Sequence, residues 1–363
     1  MNDRLPLLAA KERKPMGLPC IDLQPLRDAK QASAQLTTDD PTVRDTVLQI
    51  HNALQELGFF TVRNHGVSQE LQSNLEQQSS EFFAQDEATK QQIKMEHAGL
   101  AWKGYFPVGT EFTSGRPDQK AGLYFGTELP ADHPTVQQRL PMHGPNQWPS
   151  YDDGSFRSTV LDYMEAMTNL GSLLMEAVAL GLGLPPYYFS ERFTTDPTRL
   201  FRIFYYPPHT WEEQEDEWGV REHTDMGFLT LLKQDDCGGL QVKGRQGAWI
   251  DVPPSPDTFI VNIGDMLELW TWGILKANPH RVRNQANRGR LSFPFFYDPN
   301  WKSTLERIDQ HLLPLELLSQ ASSSAEARWD GLELHRLNAD TTYGEFVWSK
   351  IRNVFPHLVP PGL

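Results

Sequence analysis

Cysteine is scarce in this chain of 363 residues: Cys20 and Cys237 are the only two, and they lie far apart. That excludes a disulfide framework and a zinc ribbon, and it makes a reducing cytoplasm the expected compartment. Long apolar runs are also missing. The best, at 170–184, is interrupted by Glu176 and falls short of the ~20 residues that a membrane-spanning helix needs. The opening MNDRLPLLAAKERKP holds only a short apolar stretch between charges, too little for a secretory core. Positive charge is in deficit. With 33 Lys and Arg against 47 Asp and Glu, the net charge of −14 argues against nucleic acid or an anionic membrane as main partner. There is no internal repeat and no long low-complexity tract.

What is present suits a soluble globular protein, with 39% hydrophobic and 11% aromatic residues. Residues 1–17 are polar and basic and are expected to be flexible, leaving 18–363 as a single domain. Within it, 18–150 form an N-terminal helical and lid region, 199–300 a β-rich core and 301–363 a C-terminal helical region. LPCIDLQPL (18–26) reads as a short strand and a turn. Asp40 and Pro41 open a helix over 41–57, with Val43, Val47, Ile50, Leu54 and Leu57 at helical spacing. A strand at 58–67, a helix at 68–84 and a short helix around 86–95 follow. Residues 101–150 are rich in Gly, Pro and aromatics, with little periodicity, and read as a lid or pocket wall. A long helix over 154–183 carries Met164 and Met167 as core filling. From 199 the period shortens: LFRIFYYPP, FLTLLK, GLQVK, AWIDV, DTFIVNIGD, LELWTW, HRVRN and RLSFPFFYDP are strand-like runs between turns. The fold class is therefore α+β, an antiparallel sandwich or jelly roll flanked by α-helices. The C-terminal region ends in a helix capped at Thr341 or Thr342.

One histidine of the eleven opens a His-x-Asp, His223-Thr224-Asp225, between the acidic stretch 211–222 and the strand FLTLLK. In extended chain, residues i and i+2 project to one face, so this imidazole and carboxylate can bind one ion together. His280 follows 55 positions after Asp225 and opens HRVRN. Two histidines and a carboxylate leave three adjacent coordination positions free, the arrangement of non-haem Fe(II) oxygenases. A structural zinc site would close with four protein ligands, and no Cys lies beside the pair. Ten residues beyond His280, Arg290 and Ser292 share a strand face. A guanidinium fork with a hydroxyl suits a distal carboxylate, although a strand arginine taken alone is more often a surface residue.

At these residues the chain resembles the Fe(II)/2-oxoglutarate-dependent dioxygenases of the isopenicillin N synthase-like family. LPCIDL, ELGFFTVRNHGV, YYPP, HTDMGFLTLL, GGLQV, GDMLELWTWG, NPHRV and RLSFPFFYDP carry the resemblance, which covers about 18–357. It implies a double-stranded β-helix (jelly-roll) core, with His223, Asp225 and His280 as iron ligands. It implies 2-oxoglutarate as cosubstrate, held by Arg290 and Ser292, with Tyr206 helping and Arg202 touching cosubstrate or substrate. O2 would be consumed as 2-oxoglutarate becomes succinate and CO2, with ascorbate as a supporting reductant. Because Asp225 is present, halogenation is not expected.

GTEFTSGRPDQKAGLYFGTELP (109–130) and HGPNQWP (143–149) resemble the subset that contains the bacterial ethylene-forming enzyme and plant homoarginine hydroxylases. That likeness places Glu111 and Thr113 on a substrate guanidinium, in a subset where a Tyr stands at the position of Met226. Trp272 adds bulk near His280, Phe296 walls the pocket, and Arg352 meets an amino-acid carboxylate. The implied reaction is hydroxylation of a guanidino amino acid such as arginine or homoarginine. Two alternatives stay open: the same chemistry on an aromatic or alkaloid-like metabolite, for which Trp102, Phe106, Trp270 and Trp272 would supply the wall, or a non-catalytic protein that binds metal and 2-oxoglutarate. Oligomeric state is not legible.

Overall fold

The computed structural model describes residues 17–33, 35–113, 115–209, 218–319, 321 and 340–355. The expected flexible segment up to residue 16, most of the acidic stretch, and parts of the C-terminal region lie outside the described residues. Fourteen strands are described: Cys20–Asp22 (β1), Phe59–Arg63 (β2), Gly104–Phe106 (β3), Phe112–Thr113 (β4), Arg116–Pro117 (β5), Ala121–Gly126 (β6) and Thr198–Tyr206 (β7), then Val220–His223 (β8), Leu229–Gln234 (β9), Leu240–Lys243 (β10), Trp249–Val252 (β11), Phe259–Ile263 (β12), His280–Val282 (β13) and Arg290–Asp298 (β14). One sheet has the order β1-β2-β12-β9-β14-β7-β6-β3 and the other β11-β10-β13-β8. Only β1–β2 is parallel within these two sheets. Together they form the jelly-roll core, and β4–β5 is a separate small hairpin.

The large sheet is amphipathic in a particular sense. Along β14, Arg290, Ser292, Pro294 and Phe296 line the cavity between the sheets. Phe293, Phe295 and Tyr297 alternate with them and are buried on the opposite face. That face packs on the long helix Ser155–Gly181, where a Cβ at Gly171 would lie 2.7 Å from the Tyr297 ring, so only glycine permits the approach. Helices Pro41–Glu56 and Gln69–Phe83 pack on the same long helix and complete the helical layer. The first starts as its sequence demands: Asp40 accepts from Thr42 N at 2.7 Å with Pro41 in the first turn.

Several expectations need correction. A helix, Gln24–Ala32, follows β1 where a turn was expected. The stretch 101–150 is partly strand: β3 and β6 extend the large sheet beyond β7. Val220–His223 is a strand, where the expected loop ran to 222. LELWTW is not a strand; Asp265–Trp270 is a helix that buries Met266, Leu267, Leu269 and Trp270. Its alternation of apolar and polar residues fits either period over so short a run.

That helix positions the site. The N–H groups of Asp265 and Met266, unsatisfied within the helix, donate to the carbonyls of Asp225 (2.8 Å) and Met226 (3.1 Å). The approach is close: a Cβ at Gly264 would meet the Gly227 backbone at 2.5 Å and the Asp225 carbonyl at 2.9 Å. Backbone cannot swing aside as a side chain does. Gly264→Ala is therefore expected to destabilise the fold by about 1–3 kcal/mol, measured as a lowered urea midpoint at unchanged slope. A midpoint equal to wild type would show that the turn has room.

Candidate active site

Cross-strand pairing gathers the histidines. On the smaller sheet His280 stands opposite His223 in the β13–β8 register, and their ring centroids are 4.2 Å apart. Asp225 follows just past the end of β8, and its Oδ1 lies 3.8 Å from Nε2 of each histidine. Ligand atoms of all three fall within 4.8 Å of one another, a spacing at which they can hold one metal ion. Among the described residues no fourth His, Cys, Asp or Glu joins the group, as a closed structural zinc site would require.

Neighbours fix the orientation of each donor. The carbonyl of Arg221, 2.8 Å from His223 Nδ1, accepts the proton there and leaves Nε2 as the lone-pair side. Asp225 Oδ2 accepts from Thr230 Oγ1 (2.5 Å) and Asn262 Nδ2 (2.7 Å), which turns Oδ1 toward the imidazoles. Burial holds His223 below the usual imidazole range; burial and then the facing His223 push His280 down to about 4. Both shifts favour the neutral imidazole, the form that ligates metal. Burial opposes the charge on Asp225, but the histidines, Asn262 and Thr230 outweigh it and keep the carboxyl low.

These three residues lie in a cavity of about 470 Å³ between the two sheets, with Arg290, Ser292, Tyr206, Arg202, Phe296, Met226, Glu111 and Thr113 also in its wall. Arg290 is fully buried. Its Nε donates to the Gly238 carbonyl at 2.5 Å, its guanidinium lies 4.6 Å from the Tyr206 ring centroid, and its Nη1 has no protein partner. A buried N–H that lacks an acceptor is costly, and a carboxylate in the cavity would satisfy it.

A second polar group lines the same cavity. Glu111 accepts from Tyr124 OH at 2.6 Å and pairs with Lys120 at 2.7 Å and Arg202 at 3.7 Å. Lys120 also binds Asp118, which accepts from the Thr113 hydroxyl at 2.7 Å. Against the cost of burial, Lys120 and Arg202 hold Glu111 low, whereas burial and the nearby Glu111 charge push Asp118 up. Arg202 lies between the Tyr124 and Phe296 rings, at 4.3 and 4.9 Å.

Several sequence expectations are corrected here. Trp272 does not line the cavity: its Nε1 donates to the Ile308 carbonyl and Arg307 covers its ring. Arg352 is also outside, because helix Tyr343–Val354 lines the cavity with Tyr343, Val347, Lys350, Ile351, Asn353 and Val354. Trp102, Phe106 and Trp270 are core residues rather than cavity wall. The residues not foreseen are Thr230, Asn262, Asp118, Lys120, Tyr124 and Lys350. Asn262 carried a signal, as the lone polar residue of an apolar strand.

Comparison with known proteins agrees with this geometry. Residues 18–151 match the family described as non-haem dioxygenase in morphine synthesis N-terminal, and residues 197–299 match the 2OG-Fe(II) oxygenase superfamily. A probable iron/ascorbate oxidoreductase of Dictyostelium discoideum is 44% identical over 330 residues, covering 85% of this chain and 89% of the relative. A 1-aminocyclopropane-1-carboxylate oxidase of the same organism is 36% identical, covering 93% and 97%. A homoarginine-6-hydroxylase of Oryza sativa subsp. japonica is 34% identical, covering 81% and 89%. The crystal structure of a full-length Neurospora crassa protein in complex with alpha-KG superposes with a TM-score of 0.69 at 28% identity, covering 87% and 94%. The chain thus belongs to the 2OG-Fe(II) oxygenase superfamily and is an enzyme that uses Fe(II), 2-oxoglutarate and O2 on a small molecule.

Proposed function

We propose that this oxygenase hydroxylates a guanidino amino acid, arginine or homoarginine, with His223, Asp225 and His280 as its iron ligands. The observation that carries the substrate reading is a buried carboxylate, Glu111, in the wall of the cavity that holds the triad. When bound, Fe(II) and 2-oxoglutarate supply the oxidising power: O2 is spent in decarboxylating the keto acid to succinate and CO2. The chain's own residues bind and orient. Arg290, with its unmatched Nη1, and the Ser292 hydroxyl would receive the distal carboxylate of 2-oxoglutarate. Thr230 and Asn262 would hold Asp225 in place as a ligand, and the apolar wall would keep water from the reacting centre.

Glu111 is already paired with Lys120, so a second cation must be accommodated. Lys120 has another carboxylate, Asp118, which would keep it when a guanidinium takes Glu111. Asp118 would then be the carboxylate that balances Lys120, leaving Glu111 to balance the guanidinium. Arg202, whose buried Nε has no partner, suits the substrate's own carboxylate. A carboxylate receptor would serve any amino acid, including 1-aminocyclopropane-1-carboxylate, whereas Glu111 favours one with a cationic tail.

Asp225→Ala and His223→Ala are each expected to abolish stoichiometric Mn(II) binding while the circular dichroism spectrum stays native; retained binding would remove that residue from the ligand set. Arg290→Lys should raise the KM for 2-oxoglutarate about tenfold or more, because a point charge replaces a fork. An unchanged KM would refute its role as receptor.

Arginine or homoarginine should stimulate succinate release, and Glu111→Gln should raise their KM about tenfold while sparing any neutral substrate. Stimulation by 1-aminocyclopropane-1-carboxylate alone would overturn the guanidino reading.

A further inference from the structure

A second cavity, of about 260 Å³, lies where β6 ends and β7 begins. It shares only Leu200 with the wall of the main cavity. Its lining is strongly basic for a protein of net charge −14: Lys103, Arg199 and Lys302 face a single acidic side chain, Asp196. Lys103 is the unusual member. It is 2% exposed, and its ammonium donates to the carbonyls of Thr127 at 2.7 Å and Gly144 at 2.5 Å. An ammonium carries three donors, so one more N–H is available for an occupant. His133 lines the same space. Its Nδ1 accepts from Thr135 N at 3.3 Å, which leaves Nε2 as a further donor.

We infer that this cavity binds a small oxyanion, a phosphate- or carboxylate-bearing metabolite, held by Lys103 from within and by Arg199 and Lys302 at its edge. The volume is below that of most ligand pockets, which selects a small ion or metabolite over an extended one. Burial pushes the Lys103 ammonium down to about 7 although the Glu128 carboxylate opposes the shift, and an anion in the cavity would favour the charged form further. Arg199 holds its guanidinium by contacts with the Thr127 hydroxyl (3.3 Å) and Glu165 (3.5 Å), so an edge donor is already placed.

The test uses the full-length protein with its main cavity filled by Mn(II) and 2-oxoglutarate. Inorganic phosphate and succinate are titrated separately at constant ionic strength, with binding followed by calorimetry. Saturable binding of at least one probe is expected, weakened about tenfold or more in Arg199→Gln and Lys302→Gln. Both substitutions lie outside the main cavity and should leave basal turnover unchanged. Phosphate alone would identify a tetrahedral oxyanion site, and succinate alone a carboxylate site. No saturable binding of either probe, or equal binding by wild type and both variants, would overturn the inference.

Discussion

The antiparallel register that sets His223 opposite His280 is the constraint on which the rest of the site depends. Side chains directly opposite in neighbouring strands are held close by backbone hydrogen bonds, whatever their own preference. Two imidazoles are thereby forced into one corner of the cavity, where burial favours their neutral form. Asp225 completes the corner through contacts from the other sheet: Thr230 on β9 and Asn262 on β12 both donate to its Oδ2. Because the small sheet carries both histidines and the large sheet holds Asp225, the geometry of this corner depends on the packing between the sheets.

The cavity has a second organising rule. Its wall contains several charges out of water, and each charge contacts a partner or an aromatic face. Arg290 rests on Tyr206, Arg202 lies between Tyr124 and Phe296, and Lys120 bridges Glu111 and Asp118. Isolated charges at such depth would neutralise instead. The donors left over, Arg290 Nη1 and Arg202 Nε, are therefore informative: each is a place where an acceptor from outside the chain would complete the network.

Part of this was legible in the sequence. Arg290 and Ser292 are two residues apart on one strand, so local geometry alone puts them on one face; Asp225 follows the end of its strand and meets His223 through its contacts with Thr230 and Asn262. Long-range partners were not legible. Nothing in DTFIVNIGD says that Asn262 meets Asp225, although a polar residue in that apolar run called for a partner. Arg352 was misplaced by helix phase: Tyr343, Val347, Lys350, Ile351, Asn353 and Val354 line the cavity, and at about 100° per residue Arg352 falls on the opposite side of the helix. Trp272 was misplaced by its backbone, whose φ of +58° directs the ring to the Ile308 carbonyl. The short helix Asp265–Trp270 escaped because six residues cannot separate a period of two from one of 3.6.

The immobility of Arg290 has a consequence for the choice of keto acid. Its guanidinium is anchored by the Gly238 carbonyl and by Tyr206, and the two histidines are anchored by strand pairing, so neither end can slide toward the other. With Arg290 as the carboxylate receptor, the separation of the two ends acts as a fixed gauge of chain length. A diacid one carbon shorter would reach one end and strain to meet the other, and discrimination among 2-oxo acids would then come from distance rather than from any side chain that recognises the carbons between.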